Sequence, residues 1–382
     1  MGYKLKRREG FAAGIARVVD EQLRRAVGQL RGEGDADVDE AVHDVRKRLK
    51  KSRSALRLAR YDMGDASRRA ENEVLRQAGR RLSGARDAQV LLETLAGFED
   101  ELTAPAYGAM RDLLERKRDA LVAERRDVAG GTAAISDELE ALRGRIGGWV
   151  LGDASFASAE RGLRRSHNRG RDAMDVTLAD GSDEDWHEWR KRVKDLWYSL
   201  RIVRPVARTQ LAGMVDEADE LSDILGDHND LAVLLQAVEE RREVLQGDHA
   251  AELRAAVLHR RDRLRLSAVP LGRRLYAEGP RSFSRRVQAY WNARDADAAA
   301  AARWLTHEQA EEIRELLARK PGAGRAEQRR LGERLRRHGF KVSELGELVK
   351  AAPAEFGPAE FDKLVKRGQI RIGELPPVSA FA

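Results

Sequence analysis

The stretch His43-Asp-Val-Arg46-Lys47-Arg-Leu-Lys50 returns as His187-Glu-Trp-Arg190-Lys191-Arg-Val-Lys194, 144 positions later, and agreement continues at Leu56/Leu200, Arg57/Arg201 and Arg60/Arg204. At about 100° per residue, His43, Arg46, Lys47, Lys50, Ser54 and Arg57 share one side of a helix, and Val45, Leu49, Ser52, Leu56 and Ala59 share the other. The second copy divides in the same way. His187, Arg190, Lys191, Lys194, Tyr198 and Arg201 stand opposite Trp189, Val193, Leu196, Leu200 and Val203. Each stretch therefore predicts an amphipathic helix with a core side and a cationic side. A surface helix ordinarily intersperses acids at i±4 to neutralise such a row, and neither stripe contains one. A solvated face is the ordinary fate of one basic helix. A fold requires only the apolar side to recur, so recurrence of the cations points to a ligand.

The duplication runs well beyond these helices. Leu82-Ser-Gly-Ala-Arg86-Asp87 with Val90-Leu91-Leu92 corresponds to Leu225-Gly-Asp-His-Asn229-Asp230 with Val233-Leu234-Leu235, and Leu114-Glu-Arg116-Lys117 to Leu258-His-Arg260-Arg261. Periodicity and breakers predict helices near 8–31, 38–61, 67–97 and 104–128, then near 157–178, 183–204, 207–243 and 247–294, the last broken around Pro270 and Pro280. Residues 129–148 carry no assignable pattern. The expected fold class is all-α: two pseudo-symmetric four-helix bundles from an internal duplication, at 1–147 and 148–294, with the cationic stripes turned toward a shared cleft. Residues 295–382 have no counterpart in the repeat and predict a small, mostly helical module, with helices at 306–319, 325–338 and 358–367 and a short strand at Gln369-Ile-Arg-Ile-Gly373.

Composition fits this reading. Of the 382 residues 35% are charged and only 5% aromatic, which favours helices over strands. The net charge of +7 is modest, so its placement carries the argument. With no cysteine there is no disulfide framework and no zinc-thiolate site. No apolar run is long enough to span a bilayer, and the basic start leads into an amphipathic segment rather than a signal-peptide core. The expectation is a cytoplasmic protein without a membrane partner.

Cations three or four positions apart stand above one another at about 5.4 Å of helix rise, a ladder suited to a linear polyanion. Arginine offers phosphate a planar fork and lysine a mobile charge, while histidine, with an unperturbed pKa of about 6.5, gains charge beside an anion. Contacts along one chain sum, so binding is expected to depend on length. Arg80, Arg81 and Arg86 on the third helix, with Arg116, Lys117, Arg260 and Arg261 on the fourth, are candidate extensions. Asp87 and Asp230 can orient a stripe cation or cap a helix. Arg161, Arg164, Arg165, Arg169 and Arg171 form a separate basic run. Phosphate-loop, dinucleotide, zinc-protease and serine-hydrolase motifs are lacking, and the acids from Asp180 to Asp185 read as a helix lead-in. No catalytic residue, cofactor or metal site is expected.

At this point the sequence resembles the CHAD proteins, a histidine-containing α-helical domain family. The resemblance rests on Ala41 to Lys50, Leu82 to Asp87, Asp185 to Lys194 with Trp197-Tyr198, Leu225 to Asp230, and Gly272-Arg-Arg-Leu-Tyr276, and covers about residues 5–294. It implies two pseudo-symmetric helical bundles, inorganic polyphosphate held in a basic cleft, and association with polyphosphate granules. By resemblance, His43, Arg46, Lys50, Arg53, Arg57, His187, Arg190, Lys191, Lys194 and Arg201 contact the phosphates. The copies differ where Trp197 replaces Arg53 and Asp195 replaces Lys51. Many members carry a triphosphate-tunnel domain with alternating glutamates, a pattern lacking here. The resulting expectation is non-enzymatic polyphosphate binding. Its rivals are a nucleic-acid-binding protein using the same stripes, against which only Tyr198 supplies an aromatic within one, and a short-chain polyphosphate hydrolase.

Overall fold

The computed structural model describes residues 2–6, 9–33, 38–82, 85–126, 130–149, 151, 156–300, 303–319, 325–337 and 356–374. Helices dominate them, as periodicity predicts. Met1–Tyr290 form one compact unit and Trp291–Ala382 a second.

In the first unit, α1 (Phe11–Leu30) packs on α2 (Val38–Leu58), followed by α3 (Asp65–Arg81), α4 (Ala85–Ala96), α5 (Ala104–Arg126) and α6 (Gly130–Ile146). The second half runs through α7 (Ala157–Asp180), α8 (Asp183–Val203), a 3-10 turn, α9 (Arg208–Glu239), α10 (Gly247–Leu275) and the start of α11 (Pro280–Ala300), whose residues from Trp291 onward belong to the second unit. The helical wheels of the two motif helices hold: Val45, Leu49, Ser52, Leu56 and Ala59 are buried, as are Trp189, Val193, Leu196, Leu200 and Val203. The polar arcs are narrower than expected. Ser54 and Tyr198 are buried where α2 meets α8, with the Ser54 hydroxyl donating to the Asp195 carbonyl at 3.3 Å.

Three elements depart from the sequence reading. The helix expected over 67–97 is α3 and α4, separated around Ser83-Gly84, residues outside the described set. Its counterpart α9 runs unbroken through Gly226, as expected, and His228 just beyond is buried against the Trp186 ring at 4.6 Å, with Arg265 Nε donating to its Nε2 at 3.1 Å. Residues 129–148 yield α6, whose weak amphipathicity hid it. Ile135, Leu139 and Leu142 bury against α1, and Arg143 reaches Asp20 at 2.8 Å. Finally, α10 passes through Pro270, which deprives the Leu266 carbonyl of its donor. Leu266 is 76% exposed, so water can take that carbonyl. The chain breaks only after Leu275, and Pro280 starts α11 at a position that tolerates proline.

One core cluster joins the two sequence halves. Leu91, Leu95 and Phe98 at α4, with Met110 and Leu114 on α5, pack with Leu231, Leu234 and Val238 on α9 and with Leu253 and Val257 on α10. Elsewhere two glycines set close approaches. A Cβ on Gly162 of α7 would lie 2.3 Å from the Leu58 carbonyl oxygen of α2, and one on Gly272 of α10 would lie 2.5 Å from Trp189 Cζ2. The predicted acidic lead-in to α8 is a capping box: Ser182 accepts from the Asp185 N–H, and the Asp185 carboxylate accepts from the Ser182 N–H.

In the second unit, β1 (Arg303–Leu305) pairs in parallel with β2 (Ile370–Ile372), Arg303 opposite Ile370. Helices α12 (His307–Arg319), α13 (Arg325–Arg337) and α14 (Pro358–Lys366) lie close to their expected spans. Leu305, Ile313, Leu317, Leu331, Phe361 and Ile370 contribute to a separate core. β1 had no sequence signal, being three residues long.

Candidate functional site

Both cationic stripes open onto one cleft of about 920 Å³. From α2 it is lined by His43, Arg46, Lys47, Lys50 and Lys51, and from α8 by His187, Arg190, Lys194, Trp197, Tyr198 and Arg201. Helix α4 adds Val90, Leu91 and Glu93; α9 adds Asp219, Asp223, Asn229, Asp230 and Val233. Seven lysines and arginines thus face four carboxylates. Alternate turns of two buried-faced helices aim the cations at shared space, which follows directly from their three- and four-residue spacing.

The cations are held close together and partly out of water. Burial, followed by the charges of Arg201, Lys47 and Arg48, pulls the Lys51 ammonium down to about 8. Lys194 is also lowered, chiefly by burial and then by Arg190, while Asp223, Asp230 and Asp219 partly restore it. The Asp219 carboxyl is raised by burial and by Asp223. An anion in the cleft would relieve the repulsion among these cations. His187 Nδ1 contacts Asn229 Oδ1. With that oxygen accepting, Nδ1 carries the proton, and Nε2 must gain a second before it can donate to an anion. Burial holds the His187 pKa below the usual histidine value, so an anion must supply the drive to charge it.

Behind the cations lies an aromatic support. Arg201 sits 4.7 Å from the centre of the Trp197 ring, Tyr3 packs edge-on to Tyr198 at 5.8 Å, and the Tyr3 hydroxyl donates to the Lys51 carbonyl at 3.0 Å. Lys51, Glu93, Asp219 and Asp223 escaped the sequence reading. Lys51 could have been found from its position one step beyond Lys50, whereas Asp219 and Asp223 needed knowledge of which face α9 turns inward.

The remaining predicted residues scatter. Arg53 and Arg80 line a neighbouring groove of about 310 Å³ between α2 and α3, with Arg46, Lys50 and Arg76. There Arg53 donates to Asn72 at 3.0 Å and is pulled down to about 10, mainly by burial. Arg57 pairs with Asp195 at 2.6 Å, which also holds Arg192 at 2.8 Å. Lys191 is outside the cleft lining and pairs with Glu188 at 2.8 Å. Arg81 is tied to Glu138 on α6. Arg116 and Lys117 are exposed on α5 and line no part of the cleft. Arg260 donates to the Gly97 carbonyl at 2.8 Å, lies over the Phe98 ring and pairs with Glu101. Arg261, only 3% exposed, pairs with Asp183 at the start of α8. These last two brace helices against each other. The side chains of Arg86 and Asp87 lie outside the described residues.

Among the described residues no group of three or more His, Cys, Asp or Glu side chains is placed to hold a metal ion, and no helix is long and apolar enough to cross a membrane.

Fold and site define an all-α protein with a cation-lined cleft between two sequence-related helices. The CHAD domain family profile matches residues 17–239, more than half of the chain, and the chain belongs to that family. An uncharacterized protein of Mycobacterium tuberculosis is 29% identical over 216 residues, 52% of this chain and 40% of that protein, so the chain spans well under half of that relative's length. Among solved structures, PptA from Streptomyces chartreusis is similar at a TM-score of 0.52 and 17% identity, covering 68% of this chain and 98% of that one. The CHAD domain from the plant Ricinus communis gives a TM-score of 0.46 and 22% identity, over 76% and 93%.

Proposed function

We propose that this protein binds inorganic polyphosphate in the cleft between α2 and α8 and does so without turning it over. The observation that supports the reading most is the convergence of Arg46, Lys50, Arg190, Lys194 and Arg201 on one cavity from two helices. A linear chain of phosphates presents charge at every repeat and suits an elongated row of donors better than a compact anion does. Family membership agrees with this ligand, since CHAD proteins are associated with polyphosphate. The cellular site that follows is the polyphosphate granule, within the cytoplasm.

Nucleic acid carries the same backbone charge. Recognition of single strands also draws on exposed aromatic faces. Tyr198 is 3% exposed and Trp197 is buried beneath Arg201, so neither offers a stacking surface.

The test is a competition titration of the full chain with long-chain polyphosphate against tripolyphosphate, ATP and single-stranded DNA, at two salt concentrations. The expected result is tightest binding to the longest polyphosphate, weakened by salt, with chain length of the ligand unchanged after prolonged incubation. Equal or tighter binding of DNA, or phosphate release that persists with pure protein, overturns the reading.

A further inference from the structure

We propose a second anion site, separate from the cleft, in the cavity between α7 and the start of α11, which takes a compact oligophosphate. The cavity measures about 580 Å³, a volume sufficient for a small molecule, and is open to solvent. Arg161, Arg164, Arg165, Arg169 and Arg281 line it, together with Tyr61, and its lining includes no carboxylate. This is the basic run that the motif helices left unexplained.

The balance of charge there is unusual for this chain, which has 64 acids against 71 lysines and arginines. Arg165 and Arg281 have neither an ion pair nor a side-chain hydrogen bond among the described residues. Arg164 and Arg169 reach only distant carboxylate contacts, Glu160 at 3.7 Å and Glu188 at 3.5 Å. Burial and the charges of Arg192 and Arg165 lower the Arg169 pKa even so. Close passage of α7 over the end of α2, permitted by Gly162, brings these arginines to Tyr61, which is 42% exposed with the Arg161 guanidinium 4.8 Å from its ring centre. At the other wall α11 begins. Its first intrahelical bond runs from the Phe283 N–H to the Gly279 carbonyl at 3.0 Å, so the N–H groups of Arg281 and Ser282 have no acceptor within the helix. A helix start adds partial positive charge to the guanidinium groups.

Five guanidinium groups lining one open, carboxylate-free depression favour several phosphates held in one cluster, in contrast to the two helical rows of the cleft. Such an anion could be free or the tail of a nucleotide. The proposal stands independently of the polyphosphate reading, because it concerns a different cavity.

The test is calorimetric titration of the full chain with tripolyphosphate, comparing wild type with Arg165→Gln/Arg281→Gln. A second variant, Arg242→Gln/Arg263→Gln, removes the same charge from exposed positions outside both cavities. The expected result is loss of one equivalent of bound tripolyphosphate, or at least a tenfold weakening of one class of site, in the first variant only. Repeating the titration with ATP distinguishes the sources: competition for that equivalent assigns a nucleotide tail, and its absence assigns a free oligophosphate. Unchanged stoichiometry and affinity in Arg165→Gln/Arg281→Gln, or equal losses in both variants, overturns the proposal. Circular dichroism keeps the comparison to folded protein.

Discussion

The α2–α3 side and the α8–α9 side of the protein carry the same repeated sequence, yet their second rows are opposite in charge, the basic one in the groove beside the cleft and the acidic one within it. Where α3 carries Arg76 and Arg80, the matching positions of α9 carry Asp219 and Asp223; where α2 carries Arg53, α8 carries Trp197. On the first side Arg46, Lys50, Arg53, Arg76 and Arg80 line a further basic groove, in which Arg76 is held by Glu73. On the second side Lys194 faces carboxylates that compete for it before any ligand arrives. The two motif helices α2 and α8 share their buried apolar faces, so the difference at the cations lies in a few side chains of these and the neighbouring helices. One consequence is that a bound polyanion should lean toward α3.

The severest way to break this comparison is to remove the first row that both sides share. Lys50→Glu with Lys194→Glu should weaken binding of long-chain polyphosphate by about a hundredfold or more, taking roughly 1.5–3 kcal/mol per charge-assisted contact. Helical content by circular dichroism should be unchanged, since neither side chain belongs to a core. A smaller effect is expected from Arg76→Gln with Arg80→Gln. Affinity should fall roughly tenfold, and the logarithmic salt dependence should lose about one unit per cation removed; no change in that slope would mean that the chain does not leave over α3. Asp219→Asn with Asp223→Asn tests the other side and should act in the opposite direction, strengthening binding by about fivefold as local repulsion is removed. Weaker binding in this variant would show that the carboxylates position Lys194 rather than compete with the ligand.

The smallest expected effect concerns pH. Burial and then Arg201 pull the Lys51 ammonium down to about 8. An incoming anion raises that pKa, so binding takes up a proton, and affinity should fall by about threefold as pH rises from 7 to 9. Stability of the fold moves the other way. Between about 8 and the ordinary lysine value of 10.5 the unfolded chain holds more protons at this position than the folded one, so this group's contribution to stability rises with pH. Titrations of wild type and Lys51→Arg at both pH values check the assignment, since the arginine variant should lose most of the dependence.

Much of the fold was legible because burial writes a simple period into sequence. Every residue placed on the apolar side of α2 and α8 is buried, and three tail helices lie near their expected limits. What escaped was decided by contacts between distant segments. Pro270 reads as a break, yet the residue whose carbonyl it orphans lies exposed at the surface. Arg260 and Arg261 match Arg116 and Lys117 by repeat position, but Asp183 and Glu101 have turned them into braces. The site shows the same limit. Repetition located the first-row cations, while the acidic row of α9 and the ion pairs that occupy Arg57 and Lys191 depend on neighbours that a helical wheel does not include.

The core shared by α4, α5, α9 and α10 also governs how the chain can be made. Leu91, Leu95, Phe98, Met110 and Leu114 leave the ribosome well before Leu231, Leu234, Val238, Leu253 and Val257 are synthesised. At typical elongation rates of about 5–20 residues per second, the wait is on the order of ten seconds. During that interval the nascent first half displays an apolar face whose permanent cover does not yet exist. Birth of this protein is therefore its period of greatest exposure to aggregation, and any chaperone that attends it should do so before the second half appears.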